Sequence, residues 1–175
     1  MMRIAITGPE STGKTTLCQK LAKHYDANWT PEYARLYLEK RNGKYEKSDL
    51  DIIAQGQFNL WENHSEETLV FYDTEMTVLK IWSNYKYREV SNLILDLLNK
   101  QKIDHYLLCY PDIPWQQDPL REHANKREEL FRLYEAELVK NNFPYTIVKG
   151  EGVARMKKAI QVVDDLLKSQ IQIKS

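Results

Sequence analysis

Arg3-Ile4-Ala5-Ile6-Thr7-Gly8-Pro9-Glu10-Ser11-Thr12-Gly13-Lys14-Thr15-Thr16-Leu17-Cys18 decides how this chain folds. Arg3 to Thr7 reads as a short buried strand, and Leu17, Cys18, Leu21 and Tyr25 recur at helical spacing. Between them, Gly8 to Thr15 fits Gly-x-x-x-x-Gly-Lys-Ser/Thr, the P-loop that wraps nucleotide phosphates. Glycines at 8 and 13 permit the tight turn, and the positive end of the following helix points at the same anion. With glycine near about 7% of residues, a chance match in a chain of this length is on the order of one in a hundred. Strand, loop and helix also occur in the order the mechanism demands.

The motif points to ATP or GTP as ligand, ATP being the expectation, with Gly8, Glu10, Ser11, Thr12, Gly13, Lys14, Thr15 and Thr16 as the phosphate cradle. Lys14 is expected to reach the β and γ phosphates, and the Thr15 hydroxyl a magnesium ion, Mg2+.

Working outward, apolar strand candidates at 3–7, 28–31, 68–72, 105–110 and 145–148 alternate with helical patterns. The helices are expected near 14–25, 32–41, 48–64, 75–101 with a break around 86–89, 125–141 and 151–168. Val90, Leu93, Ile94, Leu97 and Leu98 share one core face, Val153, Met156, Ile160, Val163 and Leu167 another, and Ala54, Phe58 and Trp61 a third. This alternation predicts an α/β, three-layer P-loop NTPase fold. Its five-stranded, mainly parallel sheet carries helices on both faces, and ligands sit at the carboxyl ends of the strands. Residues 1–175 are expected to form one domain, and the polar run from Lys168 to Ser175 to fray.

Lys plus Arg and Asp plus Glu each number 25, so no global field draws the chain to nucleic acid or a membrane. Cys18 and Cys109 fall in apolar segments and outside any metal-ligand spacing. With no leader and no apolar run of membrane-spanning length, the expectation is a soluble cytoplasmic protein. The oligomeric state is not legible.

The other strand ends carry candidate chemistry. Pro31-Glu32-Tyr33-Ala34-Arg35 follows the second strand, so Glu32, Tyr33 and Arg35 are substrate-binding candidates. Glu32 either works on substrate or complements a helix N-terminus. Leu69-Val70-Phe71-Tyr72-Asp73 ends in an acid where P-loop enzymes hold magnesium. Asp73 can serve the ion or act as base, and the competing role is a helix N-cap.

After the fourth strand, residues 112–127 form a long loop with Trp115 and several basic residues, read as a lid. Arg121, then Arg127, are its phosphate-binding candidates. Trp115 could stack on an acceptor ring or anchor the loop, and His123 reads as a solvated lid residue. Gly150 and Gly152, after the fifth strand, could let an adenine approach or cap the strand.

Gly8 to Leu17, Pro31 to Arg35, Tyr72-Asp73-Thr74 and Pro114-Trp115-Gln116-Gln117-Asp118-Pro119-Leu120-Arg121 together resemble the ribosylnicotinamide kinase domain of bacterial NadR-type proteins. They also fit a broader group of AAA-type ATPases. The resemblance implies transfer of the γ-phosphate of ATP to the 5′-hydroxyl of nicotinamide riboside, for NAD synthesis. It further implies Lys14 and Thr15 binding ATP and magnesium, Asp73 or Glu32 orienting or deprotonating the riboside, Trp115 near its ring, and Asp118 and Arg121 in the lid; Lys14, Asp73, Glu32 and Arg121 are the catalytic candidates. NadR-type proteins commonly carry an adenylyltransferase domain ahead of the kinase. The expectation for this chain is therefore synthesis of the mononucleotide alone.

Competing readings are a GTPase, an ATPase or nucleotide-sensing module with no acceptor, and a kinase for another nucleoside or a vitamin alcohol. Asn125-Lys126-Arg127-Glu128, the nearest run to the guanine-reading Asn-Lys-x-Asp, ends in Glu, which disfavours the GTPase.

Overall fold

Neighbouring side chains on each strand point to opposite faces, and here both faces are covered, so the strands are apolar on both sides. A computed structural model describes residues 1–64, 67–121 and 123–174. Glu122, inside the expected lid, and Ser175, in the expected tail, lie outside the described residues. The strands are β1 (Met2–Thr7), β2 (Asn28–Thr30), β3 (Leu69–Asp73), β4 (His105–Cys109) and β5 (Tyr145–Val148). They form one sheet in the order β2-β3-β1-β4-β5, and every pairing is parallel. The helices are α1 (Lys14–Tyr25), α2 (Tyr33–Glu39), α3 (Lys47–Glu62), α4 (Met76–Tyr87), α5 (Asn92–Lys100), α6 (Arg127–Lys140) and α7 (Gly152–Lys174).

Two cores flank the sheet. Ala5, Val70, Tyr72, Tyr106 and Leu108 pack against apolar residues of α2 to α6. Ile4, Ile6, Phe71, Leu107 and Cys109 pack against α1 and α7. The three layers and five strands are those expected from the sequence, and the sheet is wholly parallel. Cys18 and Cys109 are free and buried.

The expected break between α4 and α5 has a local cause. Arg88 takes a left-handed backbone, closing α4 by a hydrogen bond to the Asn84 carbonyl, and the Ser91 hydroxyl caps α5 by accepting from the Ile94 amide. The C-terminal expectation is corrected: α7 continues through Lys174 rather than fraying from Lys168. Ser169 Oγ bonds the Asp165 carbonyl at 2.8 Å and Gln170 Nε2 bonds the Met1 carbonyl at 3.1 Å, tying this end to the chain's start. Val153, expected in the α7 core stripe, is exposed. Among the described residues no helix is long and apolar enough to cross a membrane.

Candidate active site

The loop from Gly8 to Gly13 leaves the central strand β1 and turns directly into α1, with Gly13 in the left-handed region at the helix N-cap. Gly8, at φ 130°, passes so close to β4 that a Cβ would lie 2.8 Å from the Cys109 carbonyl oxygen. Only glycine fits there. The loop is internally braced: the Thr12 hydroxyl and the Lys14 ammonium each donate to the Pro9 carbonyl at 2.8 Å. That contact holds Lys14 folded over the loop, where an incoming phosphate would compete for its ammonium.

Asp73 ends β3, beside β1, and is almost completely buried. Its Oδ1 has no hydrogen-bond partner. Burial and then the charge of Glu32 push its carboxyl up to about 6, against the opposing pull of the Thr15 hydroxyl, Lys14 and Arg35. The competing role of helix cap falls to its neighbour but one: the Glu75 side chain accepts from the Thr77 amide, and also bonds the Thr7 hydroxyl. Asp73 is thereby left for other work. The next residue, Thr74, has φ 86°, a strained backbone for a β-branched residue.

Glu32 precedes α2 but makes no side-chain capping bond. Its carboxylate and the Arg35 guanidinium instead line a cavity of about 340 Å³ that also takes in Gly13, Lys14 and Thr15. Asp73 stands behind that lining, joined to it through Thr15. Tyr33 lies outside the lining, with its amide donating to Gln57 Oε1 at 2.7 Å.

The lid lies closed over the cavity. Asp118 Oδ2 sits 2.7 Å from Arg35 Nη2 and 3.3 Å from Arg121 Nε, so one carboxylate draws an arginine of α2 and one of the lid together. Burial opposes ionisation of Asp118, but the Leu120 amide, Arg35 and Arg121 outweigh it and hold the carboxyl below its ordinary value. Arg121 lines the cavity. The Gln116 amide donates to Ser11 Oγ at 2.8 Å, and Arg127 donates to the Ser11 and Ile113 carbonyls at 3.1 and 2.8 Å.

One lid expectation changes, and one open alternative narrows. His123 is half-buried rather than solvated: its amide donates to Glu10 Oε2 at 3.2 Å, which pins the lid to the P-loop. Trp115 does not line the cavity, and the Arg127 guanidinium stands 5.8 Å from its ring centroid.

Arg155 was not singled out from the sequence. Buried in the first turn of α7, it donates to the carbonyls of Thr12, Gly150 at 2.6 Å and Tyr110 at 2.8 Å, and pairs with Asp112. Asp112 also accepts from the Gly150 amide at 2.6 Å. The ends of β4 and β5 and the P-loop thus meet on one guanidinium, and Gly152 reaches the cavity lining beside it. A cation beside Met156, in an otherwise apolar helix stripe, was its only sequence signal.

Among the described residues no group of three or more His, Cys, Asp or Glu side chains could hold a metal unaided. The oxygen donors Thr15 and Asp73, the latter with an unpartnered oxygen, suit a magnesium ion held jointly with phosphates.

The AAA domain family matches residues 3–155. The trifunctional NAD biosynthesis/regulator protein NadR of Escherichia coli (strain K12) is 29% identical over 177 residues, covering 95% of this chain and 43% of that protein. Its Salmonella typhimurium counterpart is 28% identical over the same share. The chain therefore spans less than half the length of these curated relatives. Among solved structures, NadR protein in complex with NR superposes with a TM-score of 0.79 at 24% identity, over 94% of this chain and 51% of that one. Deoxyadenosine kinase from M. mycoides gives 0.63 at 17% identity, over 96% of this chain and 100% of that one. Both share this fold.

Proposed function

We propose that this chain, which belongs to the AAA domain family, is an ATP-dependent small-molecule kinase that phosphorylates a nucleoside hydroxyl, with nicotinamide riboside as acceptor and nicotinamide mononucleotide as product. The observation that carries this reading is one continuous cavity of about 340 Å³, running from the P-loop to Glu32 and Arg35 beneath the lid. It offers space for an acceptor beside the phosphate cradle, which an ATPase without acceptor would not require. The likeness to NadR relatives along nearly the whole chain supports the choice of acceptor.

In this mechanism the acceptor 5′-oxygen attacks the γ-phosphorus of ATP, the new P–O bond forms, and the bridging bond to ADP breaks. Asp73 takes the hydroxyl proton: its unpartnered Oδ1 and raised carboxyl suit a base. Glu32 binds and orients the riboside. Lys14 and Arg121 neutralise charge spread over the transferring oxygens. Magnesium, held by Thr15 and the phosphates and served by Asp73 only through water, would supply further neutralisation of that charge. Gly8 to Thr16 and Arg127 support the donor side, the latter through the Ser11 carbonyl. The closed lid excludes water and so favours transfer over hydrolysis. Two buried free thiols suit a reducing cytoplasm, where the proposal puts the reaction.

Incubation with magnesium-ATP and a nucleoside panel, with ADP followed against a blank lacking acceptor, tests the reading. ADP formation is expected to rise with nicotinamide riboside. Equal ADP with and without every acceptor would leave an ATPase or a nucleotide-sensing module.

A further inference from the structure

The cavity ends, away from the phosphate cradle, against Ala34 and Leu38 of α2, Tyr45 from the α2–α3 connection, Trp82 of α4, and Pro119 and Leu120 of the lid. Tyr45 and Trp82 meet edge to face, with centroids 4.9 Å apart and planes at 70°. Trp82 Nε1 donates to the Tyr45 hydroxyl at 2.8 Å, and Lys86 Nζ donates to the same hydroxyl at 2.6 Å. Lys86 also stands 3.8 Å from the Tyr45 ring centroid. The pair is thus pinned before any ligand arrives, which limits the ordering cost of stacking against it.

Polar groups are distributed unevenly along the lining. Among the described residues, its carboxylates and carboxamides are Glu10, Glu32 and Gln116, contributed by the P-loop, the start of α2 and the lid. The α2–α3 connection and α4 contribute none of them, only Gly43, Tyr45 and Trp82. A ring placed there meets faces and shape rather than groups that read its edge.

Resting on the kinase reading above, we propose that Tyr45 and Trp82 form the subsite for the planar ring of the acceptor nucleoside. The ribose then lies between them and the P-loop, beside Glu32. This assigns the ring to α4 and the α2–α3 connection rather than to Trp115 of the lid. Recognition by ring faces favours planar heterocycles and tolerates variation at their edges.

The test is steady-state kinetics of Trp82→Ala, Trp82→Phe and Tyr45→Phe, with acceptor and ATP varied separately. Trp82→Ala is expected to raise the acceptor KM about tenfold or more, with Trp82→Phe in between and the ATP KM within about twofold of wild type. Nicotinamide riboside added without ATP is expected to quench tryptophan emission in the wild type and to lose most of that quench in the well-folded Trp82→Phe. An unchanged acceptor KM, or equal rises in both KM values, would overturn the subsite. An unaltered quench in Trp82→Phe would do the same, even if Trp82→Ala fails to fold. The kinase reading fails separately: if nicotinamide riboside quenches Trp82 but never raises ADP, the subsite stands and the reaction does not.

Discussion

Asp73 is held in a state that costs stability. Its carboxyl is raised from 3.8 to about 6, so the folded protein binds the proton more tightly than the unfolded chain. The penalty is absent below the unfolded value, grows as pH rises through about 6, and reaches about 3 kcal/mol at most above it. Asp73→Asn is therefore expected to be more stable than wild type at pH 8 in metal-free protein, by about 1–3 kcal/mol and with a higher Tm, with the gain vanishing near pH 4. A pH-independent difference in thermal melts would contradict that. The same variant should lose most of kcat, at least about a hundredfold for a missing base. Glu32→Gln should act chiefly on the acceptor KM if Glu32 only holds the riboside, and initial rates at varied acceptor separate the two acids. Both acids were legible as strand-end carboxylates. That Glu75 takes the capping role, freeing Asp73, was not, because two acids within three residues look alike until the backbone aims them.

The lid is an element without regular structure for most of its length, fixed by polar contacts to its neighbours. Asp118 links it to α2 through Arg35, Glu10 holds the His123 amide, and Arg127 bonds the Ser11 carbonyl of the P-loop. Asp118→Ala removes the carboxylate that draws Arg35 and Arg121 together. Acceptor-independent ADP release should rise relative to transfer as the lid loosens, by about threefold to tenfold, measured as the ratio of the two rates. An unchanged ratio would mean the remaining attachments, the Gln116 amide on Ser11 among them, suffice. The sequence marked the lid by its length, prolines and basic residues, and the P-loop by its motif. Contacts between residues far apart in the chain left no such mark. Arg155 lies 143 positions from its Thr12 partner, and Tyr45 lies 37 from Trp82.

At the scale of the molecule, the wholly parallel sheet gathers the carboxyl ends of β1, β3, β4 and β5 on one side, so the P-loop, the lid and Gly152 share a single crevice with Asp73 behind its lining. The alternation of apolar runs and helical stripes predicted that arrangement, because a strand buried on both faces and an amphipathic helix each carry a local signature. The central claim is that donor and acceptor occupy one cavity. Its most direct test is transfer of label from γ-labelled ATP, with nicotinamide riboside and magnesium present and the products separated chromatographically. The account predicts label in nicotinamide mononucleotide in proportion to ADP formed. Label released only as inorganic phosphate, at a rate indifferent to the riboside, would contradict it.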